Sequence, residues 1–367
     1  MKIVVTGSKG FIGKNLCVFL REQQYDVLEI HRETQEQDML SYLSQADFVY
    51  HLAGINRPKN PSEFQSGNVD FTRFIVEQLS NFKRDIPIVL TSSSQADDKN
   101  DYGLSKRAAE KIVESYSTET GSPSYIYRLP NVFGKWCKPN YNSFVATFCN
   151  NLVNGVDISI HDPNKSVRLV YIDDVCQSFL ELLDGKASSG FQKLSTEYNT
   201  TVGEVADIIS SFKSSRTSLF MEPVGVELNR ALYSTYLSYI PPEKFNYSIP
   251  IHTDERGVFC EMLKTRDSGQ FSFFTAHPGI TRGDHYHHTK NEKFLVVKGE
   301  ATFKFENITS GKRHELMVSS LKPEIVQTVP GWTHNITNSG DEELIVMLWA
   351  NEVFDSQRPD TIMKKIF

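Results

Sequence analysis

The chain opens with Met1-Lys-Ile-Val-Val-Thr-Gly-Ser-Lys-Gly-Phe-Ile-Gly-Lys-Asn-Leu16, and this stretch decides the fold of the first half of the chain. A β-branched run over residues 3–6 predicts a short strand, and the apolar period that starts at Ile12 predicts a helix. The turn between them contains three glycines, Gly7, Gly10 and Gly13. Glycines allow a backbone to turn tightly and to approach a pyrophosphate, which the N–H groups at the start of a helix stabilise. The stretch therefore predicts a dinucleotide-binding turn, with an ordinary strand-to-helix turn as the alternative.

Length and composition narrow the class of protein. The 367 residues suit two domains, and a formal net charge of −6 offers no basic surface for nucleic acid. No apolar run approaches the roughly 18 residues of a membrane helix, and the first residues lack a secretory cleavage pattern. The five cysteines have neither disulfide nor thiolate-metal spacing: Cys17, Cys137, Cys149, Cys176 and Cys260. We expect a cytoplasmic protein that binds neither nucleic acid nor membrane.

Strands and helices alternate through the first half and predict a parallel α/β sheet. Further strands are predicted over 26–30, 47–52 and 86–90, and a helix is predicted from about Val69. Arg32 follows the second strand, where an acidic residue binds the adenosine 2′-hydroxyl and an arginine accommodates a 2′-phosphate. Arg32 therefore indicates NADP, whereas Glu29 or Glu33 would serve an NAD site.

A tyrosine and a lysine four residues apart come after a serine-rich strand end. Tyr102 and Lys106 share one face of a predicted helix, whose apolar stripe is expected at Leu104, Ala108, Ile112 and Tyr116. The ammonium is expected to lower the pKa of the phenol and keep it ready to donate a proton. The spacing is common on exposed helices, but here it lies downstream of the glycine turn and of Ser92 to Ser94, at a strand end where ligands bind.

These residues form an ordered series over roughly residues 1 to 240: Thr6-Gly7-x-x-Gly10-x-x-Gly13, His51-Leu-Ala-Gly54, Asn68, Ser92 to Ser94, Tyr102-x-x-x-Lys106, Arg128-Leu-Pro-Asn-Val-Phe-Gly134 and Val170-Tyr-Ile-Asp-Asp174. The series resembles the extended short-chain dehydrogenase/reductase family. The resemblance implies an α/β Rossmann domain over residues 1–243 that binds NADPH and a nucleotide-sugar. It implies that Tyr102 donates the proton, Lys106 holds the nicotinamide ribose, and Ser94 or its neighbour Ser93 positions the carbonyl. The implied cofactor-binding residues are Gly7, Gly10, Phe11, Ile12, Gly13, Arg32, Leu52, Ala53, Gly54, Asn68, Tyr102 and Lys106.

After Pro242 the pattern changes to short strands of period two. They are predicted over 258–263, 271–276, 294–297, 301–305, 315–318 and 344–349. This pattern is typical of an all-β barrel or jelly roll, which we assign to residues 244–367.

Three histidines and a glutamate in this half have the spacing of a metal site. His285 and His287 are alternate residues of one strand and can present both imidazoles to one point. Glu292 and His334 would complete a set of three nitrogens and one oxygen that suits zinc, with iron, nickel or manganese possible. A surface histidine cluster is the alternative. The intervals Gly279-x5-His285-x-His287-x4-Glu292-x6-Gly299 and Pro330-Gly331-x2-His334-x3-Asn338 are similar to the two motifs of the cupin superfamily.

A second resemblance overlaps this one. Asp254-Glu-Arg-Gly-Val-Phe-x-Glu261 and Thr281-Arg-Gly-Asp-His-Tyr286 resemble the 3,5-epimerases of nucleotide-linked 4-keto-6-deoxy sugars. In that family the histidine that matches His285 is the base and no metal is used. Because one histidine cannot be both a metal ligand and a free base, the neighbours Asp284, Tyr286 and His288 are candidates for the base.

A reductase followed by an epimerase-like cupin resembles the bifunctional enzymes that make capsular polysaccharide precursors. That resemblance implies a UDP-linked 2-acetamido-4-keto-2,6-dideoxyhexose that is epimerised at C3 and then reduced at C4 with NADPH, by a homodimer that holds a zinc-like ion. Two alternatives remain open at this point: a 4-keto-sugar reductase whose cupin only binds metal, and a non-catalytic NADP-sensing module.

Overall fold

The computed structural model describes residues 1–249, 252–254, 257–259, 263–265, 269–352 and 357–366. The chain divides into two compact units: Met1–Lys138 with Val167–Asn199, and Pro139–Ser166 with Thr200–Phe367. Four residues named above, Glu255, Arg256, Cys260 and Glu261, lie outside the described residues.

The first unit is built around a parallel sheet. Up to residue 138 its elements are β1 (Lys2–Thr6), α1 (Phe11–Glu22), β2 (Asp26–Ile30), α2 (Glu36–Gln45), β3 (Phe48–His51), α3 (Ser62–Phe64), α4 (Phe71–Asn81), β4 (Ile88–Ser93), α5 (Asp101–Thr120), β5 (Ser124–Leu129) and β6 (Asn131–Phe133). The chain continues with α6 (Phe144–Val153), β7 (Ser166–Tyr171), α7 (Ile172–Glu181), β8 (Gly190–Gln192), β9 (Tyr198–Thr201), α8 (Val202–Ser218), β10 (Phe220–Met221) and α9 (Glu227–Ser238).

The strand order explains where a ligand can bind. The sheet runs β2-β1-β3-β4-β5-β8, and every neighbouring pair in it is parallel. The predicted parallel α/β sheet is therefore confirmed. Strand β2 lies on one side of β1 and β3 lies on the other, so the order of the strands reverses between β1 and β3. The crevice beyond the carboxyl ends of these two strands is the switch point where such sheets bind ligands. Both the glycine turn and Ala53 follow these strand ends.

Helix α5 buries a different face from the one that its apolar residues predict. Leu104 is 55% exposed, whereas Lys106 and Glu110 are buried together with Val113 and Tyr116. The predicted position of Leu104 on the buried face was wrong, because the prediction used only the hydrophobicity of the side chains. Lys106 and Glu110 find polar partners inside the unit, so their burial is tolerated.

The second unit combines helices with a β-structure. Helices α6, α8 and α9 pack against one another, with the ring of Phe212 5.0 Å from that of Tyr233 and 5.9 Å from that of Tyr236. Tyr233 also binds this unit's β-structure, because its hydroxyl accepts a hydrogen bond of 2.9 Å from Nε2 of Gln327. Helices α8 and α9, which the sequence assigns to the reductase half, thus lie in the compact unit that contains the barrel. The boundary at residue 243 stays a prediction.

Two antiparallel sheets form the C-terminal β-structure. The strands of this region are β11 (Asn246–Ser248), β12 (His252–Asp254), β13 (Gly257–Phe259), β14 (Lys264–Thr265), β15 (Gln270–Ala276), β16 (Thr281–Tyr286), β17 (Glu292–Lys298), β18 (Glu300–Asn307), β19 (Arg313–Ser319), β20 (Glu324–Gln327), β21 (Trp332–Asn338), β22 (Leu344–Ala350) and β23 (Ile362–Met363). Three of them lie outside the two sheets, because β12 and β13 pair with each other and β14 pairs in parallel with β10. The sheet orders are β11-β20-β17-β22-β15 and β19-β18-β21-β16-β23. Phe294 of the first packs edge-on against Phe303 of the second at 5.5 Å, so the core lies between the two sheets. The all-β architecture is confirmed.

Among the described residues, no helix combines the length and the apolar composition that crossing a membrane requires. Cys17, Cys137, Cys149 and Cys176 are buried, and burial raises the pKa of the Cys17 thiol to about 12.

We expect Gly7→Ala to destabilise the protein more than Gly121→Ala. Both glycines have positive φ, at +68° and +80°, so alanine adds a backbone cost of about 1–2 kcal/mol at either position. Only at Gly7 would the new Cβ meet backbone, lying 2.8 Å from the nitrogen of Ala53, and such overpacking costs about 1–3 kcal/mol more. Urea unfolding of the two variants measures the difference, and equal destabilisation would contradict the close contact.

Candidate functional site

The glycine turn is shaped by contacts between backbones. The N–H of Gly10 donates to the carbonyl of Gly7 at 2.8 Å, and a Cβ on Gly13 would clash with that same carbonyl. Gly10 is the N-cap of α1, no side chain caps the helix, and its first turn contains no acidic residue. The orphan N–H groups and the positive end of the helix dipole are therefore suited to a diphosphate. Three further residues predicted to bind the cofactor, Phe11, Ile12 and Leu52, are half-buried.

A second group of predicted cofactor residues meets at Gly54. A Cβ there would lie 3.2 Å from Oδ1 of Asn68 and 3.5 Å from Nζ of Lys106. Asn68 is fixed by three hydrogen bonds: Oδ1 accepts from the N–H of Ile55, and Nδ2 donates to the Ile55 carbonyl and to Ser105 Oγ. Because Gly54 has no side chain, the space beside the buried ammonium of Lys106 and the amide of Asn68 stays open.

Tyr102 lies next to Ser93, the serine at the end of β4. Its side chain hydrogen-bonds with that of Ser93. Ser93 is the last residue of β4 and half-buried, whereas Ser94 is exposed in the short helical turn that comes next. Burial raises the pKa of Tyr102, and the bond with Ser93 acts in the opposite direction. The expected lowering of the phenol pKa by Lys106 is thus not seen, and Nζ of Lys106 instead donates to the carbonyl of Thr91 at 2.6 Å.

A buried carboxylate on the same helix acts on Lys106 through its charge. Burial lowers the pKa of Lys106 to about 8, and the charge of Glu110, one turn further along α5, raises it. Glu110 accepts two hydrogen bonds from Arg128, at 2.8 and 2.7 Å, and one from Ser92 Oγ at 2.5 Å. The sequence analysis did not single out Glu110, although its position four residues after Lys106 is visible in the sequence.

Arg32 lies exposed just beyond β2. The two acidic residues that could serve NAD instead are both engaged, since Glu33 pairs with Lys9 at 2.7 Å and Glu29 pairs with Arg21. No ion pair of the Arg32 side chain is found within the part of the chain that the structure describes.

The three histidines and the glutamate of the second unit come together as one cluster. His285 and His334 are directly opposed on β16 and β21, His287 follows the end of β16, and Glu292 begins β17 of the facing sheet. One potential ligand atom from each of the four lies within 4.8 Å of the others. A bulge between Gly283 and His285, with Asp284 at φ +58°, adjusts the strand immediately before the first ligand.

The protonation states suit a cation. Burial and the neighbouring histidines lower the pKa of His285 to about 4, and burial lowers the pKa of His334. Burial alone would raise the pKa of Glu292, but His287 and His334 hold it well below its usual range. At neutral pH His285 and His334 therefore offer neutral imidazoles and Glu292 offers a carboxylate, the forms that bind metal.

Two of the donor pairs have the spacing of a tetrahedral site. Nε2 of His287 and of His334 lie 3.1 and 3.3 Å from Oε2 of Glu292, near the roughly 3.3 Å that separates ligands in a tetrahedron with bonds of about 2.0–2.1 Å. Both ring nitrogens of His334 are buried without a hydrogen-bond partner. Such orphaned nitrogens are costly unless a ligand satisfies one of them, so the residues fit a divalent metal.

The candidate bases lie next to the ligands in sequence. Oδ1 of Asp284 accepts hydrogen bonds from Nδ2 of Asn335 at 2.7 Å and from the N–H of Ile366 at 3.3 Å. Tyr286 and His288 are buried, and their rings meet edge-to-face at 5.7 Å.

Models of known protein families match both halves of the chain. The model of the NAD dependent epimerase/dehydratase family matches residues 3–193, and that of the polysaccharide biosynthesis C-terminal domain matches residues 252–362. A protein of Pseudomonas aeruginosa named UDP-2-acetamido-2,6-beta-L-arabino-hexul-4-ose reductase is 52% identical over 363 residues, which cover 98% of either chain.

Two crystal structures cover 100% of both chains. One is of the capsular polysaccharide assembling protein CapF from Staphylococcus aureus, with 41% identity and a TM-score of 0.69. The other is of CapF with the inhibitor 3-isopropenyl-tropolone, with 37% identity and a TM-score of 0.63. They confirm the predicted pairing of a Rossmann and a cupin domain. The chain therefore belongs to the NAD dependent epimerase/dehydratase family, and it is similar over its whole length to the Pseudomonas reductase and to CapF.

Proposed function

We propose that the protein is a bifunctional UDP-sugar enzyme that epimerises C3 of a UDP-2-acetamido-4-keto-2,6-dideoxyhexose in the barrel and reduces C4 with NADPH in the Rossmann unit. The product is UDP-2-acetamido-2,6-dideoxy-L-talose, a precursor of UDP-N-acetyl-L-fucosamine for capsular polysaccharide. One observation carries the proposal: a single chain contains both the Ser93–Tyr102–Lys106 set and a buried three-histidine, one-carboxylate cluster. The name of the 52% identical relative, a hexul-4-ose reductase, supports the 4-keto-sugar substrate.

When a hydride adds to C4, the C4 oxygen becomes negatively charged and must receive a proton. NADPH supplies the hydride to C4 when it is bound, and Arg32 is proposed to hold its 2′-phosphate. Ser93 positions the carbonyl, and Tyr102 gives its phenolic proton to the substrate oxygen as the C=O electron pair moves onto it. Lys106 holds the nicotinamide ribose.

Epimerisation uses the same ketone differently. A 4-ketone acidifies the C3–H bond, so a base can remove that proton while the electron pair moves towards the C4 oxygen, and reprotonation on the other face inverts C3. Asp284, Tyr286 and His288 are the proposed bases. Because reduction removes the carbonyl, epimerisation must come first. The ion, which we propose is zinc, is held by His285, His287, Glu292 and His334 and stabilises the barrel. That the protein is a cytoplasmic homodimer also stays a prediction.

A second candidate is a reductase whose barrel is only structural. It is favoured by the four protein ligands, which leave a tetrahedral metal without an open position. The two functions differ in whether solvent deuterium enters the sugar.

The direct test uses a UDP-4-keto-6-deoxy-HexNAc in deuterated water without NADPH. The bifunctional enzyme incorporates deuterium at C3, and Tyr102→Phe retains this exchange while losing NADPH oxidation. Asp284→Asn, Tyr286→Phe and His288→Gln, assayed alongside, identify the base by loss of exchange alone. Wild-type protein that oxidises NADPH but exchanges no C3 hydrogen would establish the simple reductase.

Ser93→Ala should slow reduction far more than Ser94→Ala. Ser93 is the serine that bonds with Tyr102, and loss of one preorganised donor to a reacting oxygen costs roughly a hundredfold or more in kcat. Ser94 is exposed, so its variant should remain close to wild type. Steady-state NADPH oxidation measures both, and the reverse ranking would transfer the role to Ser94.

The reductase should lose activity above about pH 8. The Lys106 pKa is lowered to about 8, so its charge is present below that pH and is lost as the pH rises through it. Because the Glu110 charge raises this pKa, Glu110→Gln should move the alkaline limb of kcat/KM for NADPH to lower pH. Glu114→Gln, at an exposed position of the same helix, is the control and should leave the profile unchanged.

Purified protein should contain one divalent ion per chain, lost in His334→Gln. His334 is buried and its ring nitrogens have no other partner, so the variant removes a ligand without exposing a new surface. His277→Gln, at an exposed histidine outside the cluster, should keep the ion. Elemental analysis after purification without chelators decides the matter, and absence of metal would return His285 to the role of base.

A further inference from the structure

Two of the four proposed metal ligands flank a short buried loop. His287 and Glu292 stand at its ends, and every residue between them is at most 9% exposed. A loop so buried cannot give its N–H groups to bulk water, and unpaired buried donors are costly. Its conformation, and with it the spacing of the two ligands, therefore depends on protein acceptors.

One residue from the C-terminal segment supplies these acceptors. Oδ1 of Asp360 accepts from the N–H of His288 at 3.0 Å. Oδ2 accepts from the N–H groups of Thr289 and Lys290 at 2.8 and 2.7 Å, and from the Thr289 hydroxyl at 3.0 Å. A single carboxylate thus binds three consecutive residues of the loop.

The main chain of Asp360 bonds directly with a ligand. Its carbonyl accepts from Nδ1 of His287 at 2.6 Å, which fixes a proton on Nδ1 and the orientation of the ring, with Nε2 facing Glu292 at 3.1 Å. Asp360 has φ +34°, a conformation that costs a non-glycine residue energy. Strand β23, which begins two residues later, pairs with β16 through Met363 and His285 and so holds this segment against the first ligand strand.

We propose that Asp360 is the positioning residue of the metal centre: its carboxylate holds the 287–292 loop and its carbonyl orients His287. The inference rests on the proposed metal centre. Hydrogen bonds to the far nitrogen of a metal-bound histidine orient the ring and raise its basicity, and their loss lowers metal affinity roughly 10- to 100-fold. Asp360 does not touch the ion, so its effect must pass through His287 and the loop.

The chain offers a matched pair of variants and a control. Asp360→Asn keeps the size of the side chain and a residue type that tolerates positive φ, but its amide nitrogen cannot accept a hydrogen bond. Asp360→Gly keeps only the carbonyl that accepts from His287, and it removes the cost of the positive φ. Ser234→Ala removes a different support of the loop, the 3.0 Å bond from Ser234 Oγ to the Thr289 carbonyl, without changing the bonds of Asp360.

The test titrates metal-free full-length protein with Zn²⁺ against a chromophoric chelator and records the visible spectrum with Co²⁺. We expect both Asp360 variants to bind Zn²⁺ roughly 10- to 100-fold more weakly and to show an altered Co²⁺ spectrum, while Ser234→Ala keeps the wild-type spectrum and affinity. Should Asp360→Gly not fold, the milder Asp360→Asn decides alone.

Wild-type affinity and spectrum in the Asp360 variants would overturn the positioning role while leaving the metal centre standing. Equal weakening by Ser234→Ala, with an unaltered Co²⁺ spectrum throughout, would reduce Asp360 to a general loop contact and overturn it as well. Failure of wild-type protein to bind Zn²⁺ would remove the metal centre and this inference with it.

Discussion

A polar group buried away from water needs a partner, and both chemical centres of this protein are organised by that requirement. In the first unit, the Lys106 ammonium is buried, and its partners are the Thr91 carbonyl and the charge of Glu110. Glu110 is balanced in turn by Arg128. The partners come from β4, α5 and β5, so the reactive helix face exists only once the sheet and the helix have assembled.

The second unit meets the requirement with a different chemistry. Three imidazoles and one carboxylate face each other between two sheets, and burial disfavours charge on His285 and His334. Both ring nitrogens of His334 are buried there without a hydrogen-bond partner. A divalent cation resolves this conflict, and structural metal sites draw stability from the same source. The apolar rings of Phe294 and Phe305 each lie 6.3 Å from the ring of His334 and form an apolar shell on that side of the cluster.

The sequence predicted elements whose hydrophobic pattern is strong and missed those whose side chains are polar. Strand β2 has the predicted bounds. The sequence placed His285 and His287 on one strand, but β16 ends at Tyr286, one residue before His287. The polar residues of β21 hide its alternation, so the motif spacing found His334 without predicting its strand. Strand β4 continues three residues beyond its predicted end, and this extension brings Ser93 rather than Ser94 to Tyr102. Asp360 gave no signal, because one aspartate some seventy residues from the loop it binds has no local pattern.

The proposed function requires that epimerisation and reduction act in turn on one sugar carbonyl. The most direct measurement is the NMR spectrum of the sugar formed by wild-type protein in deuterated water from a protiated UDP-4-keto-6-deoxy-HexNAc and unlabelled NADPH. We expect deuterium at C3, from reprotonation by solvent, and hydrogen at C4, from the cofactor. A reduced sugar with hydrogen at both C3 and C4, and with unchanged configuration at C3, would contradict it.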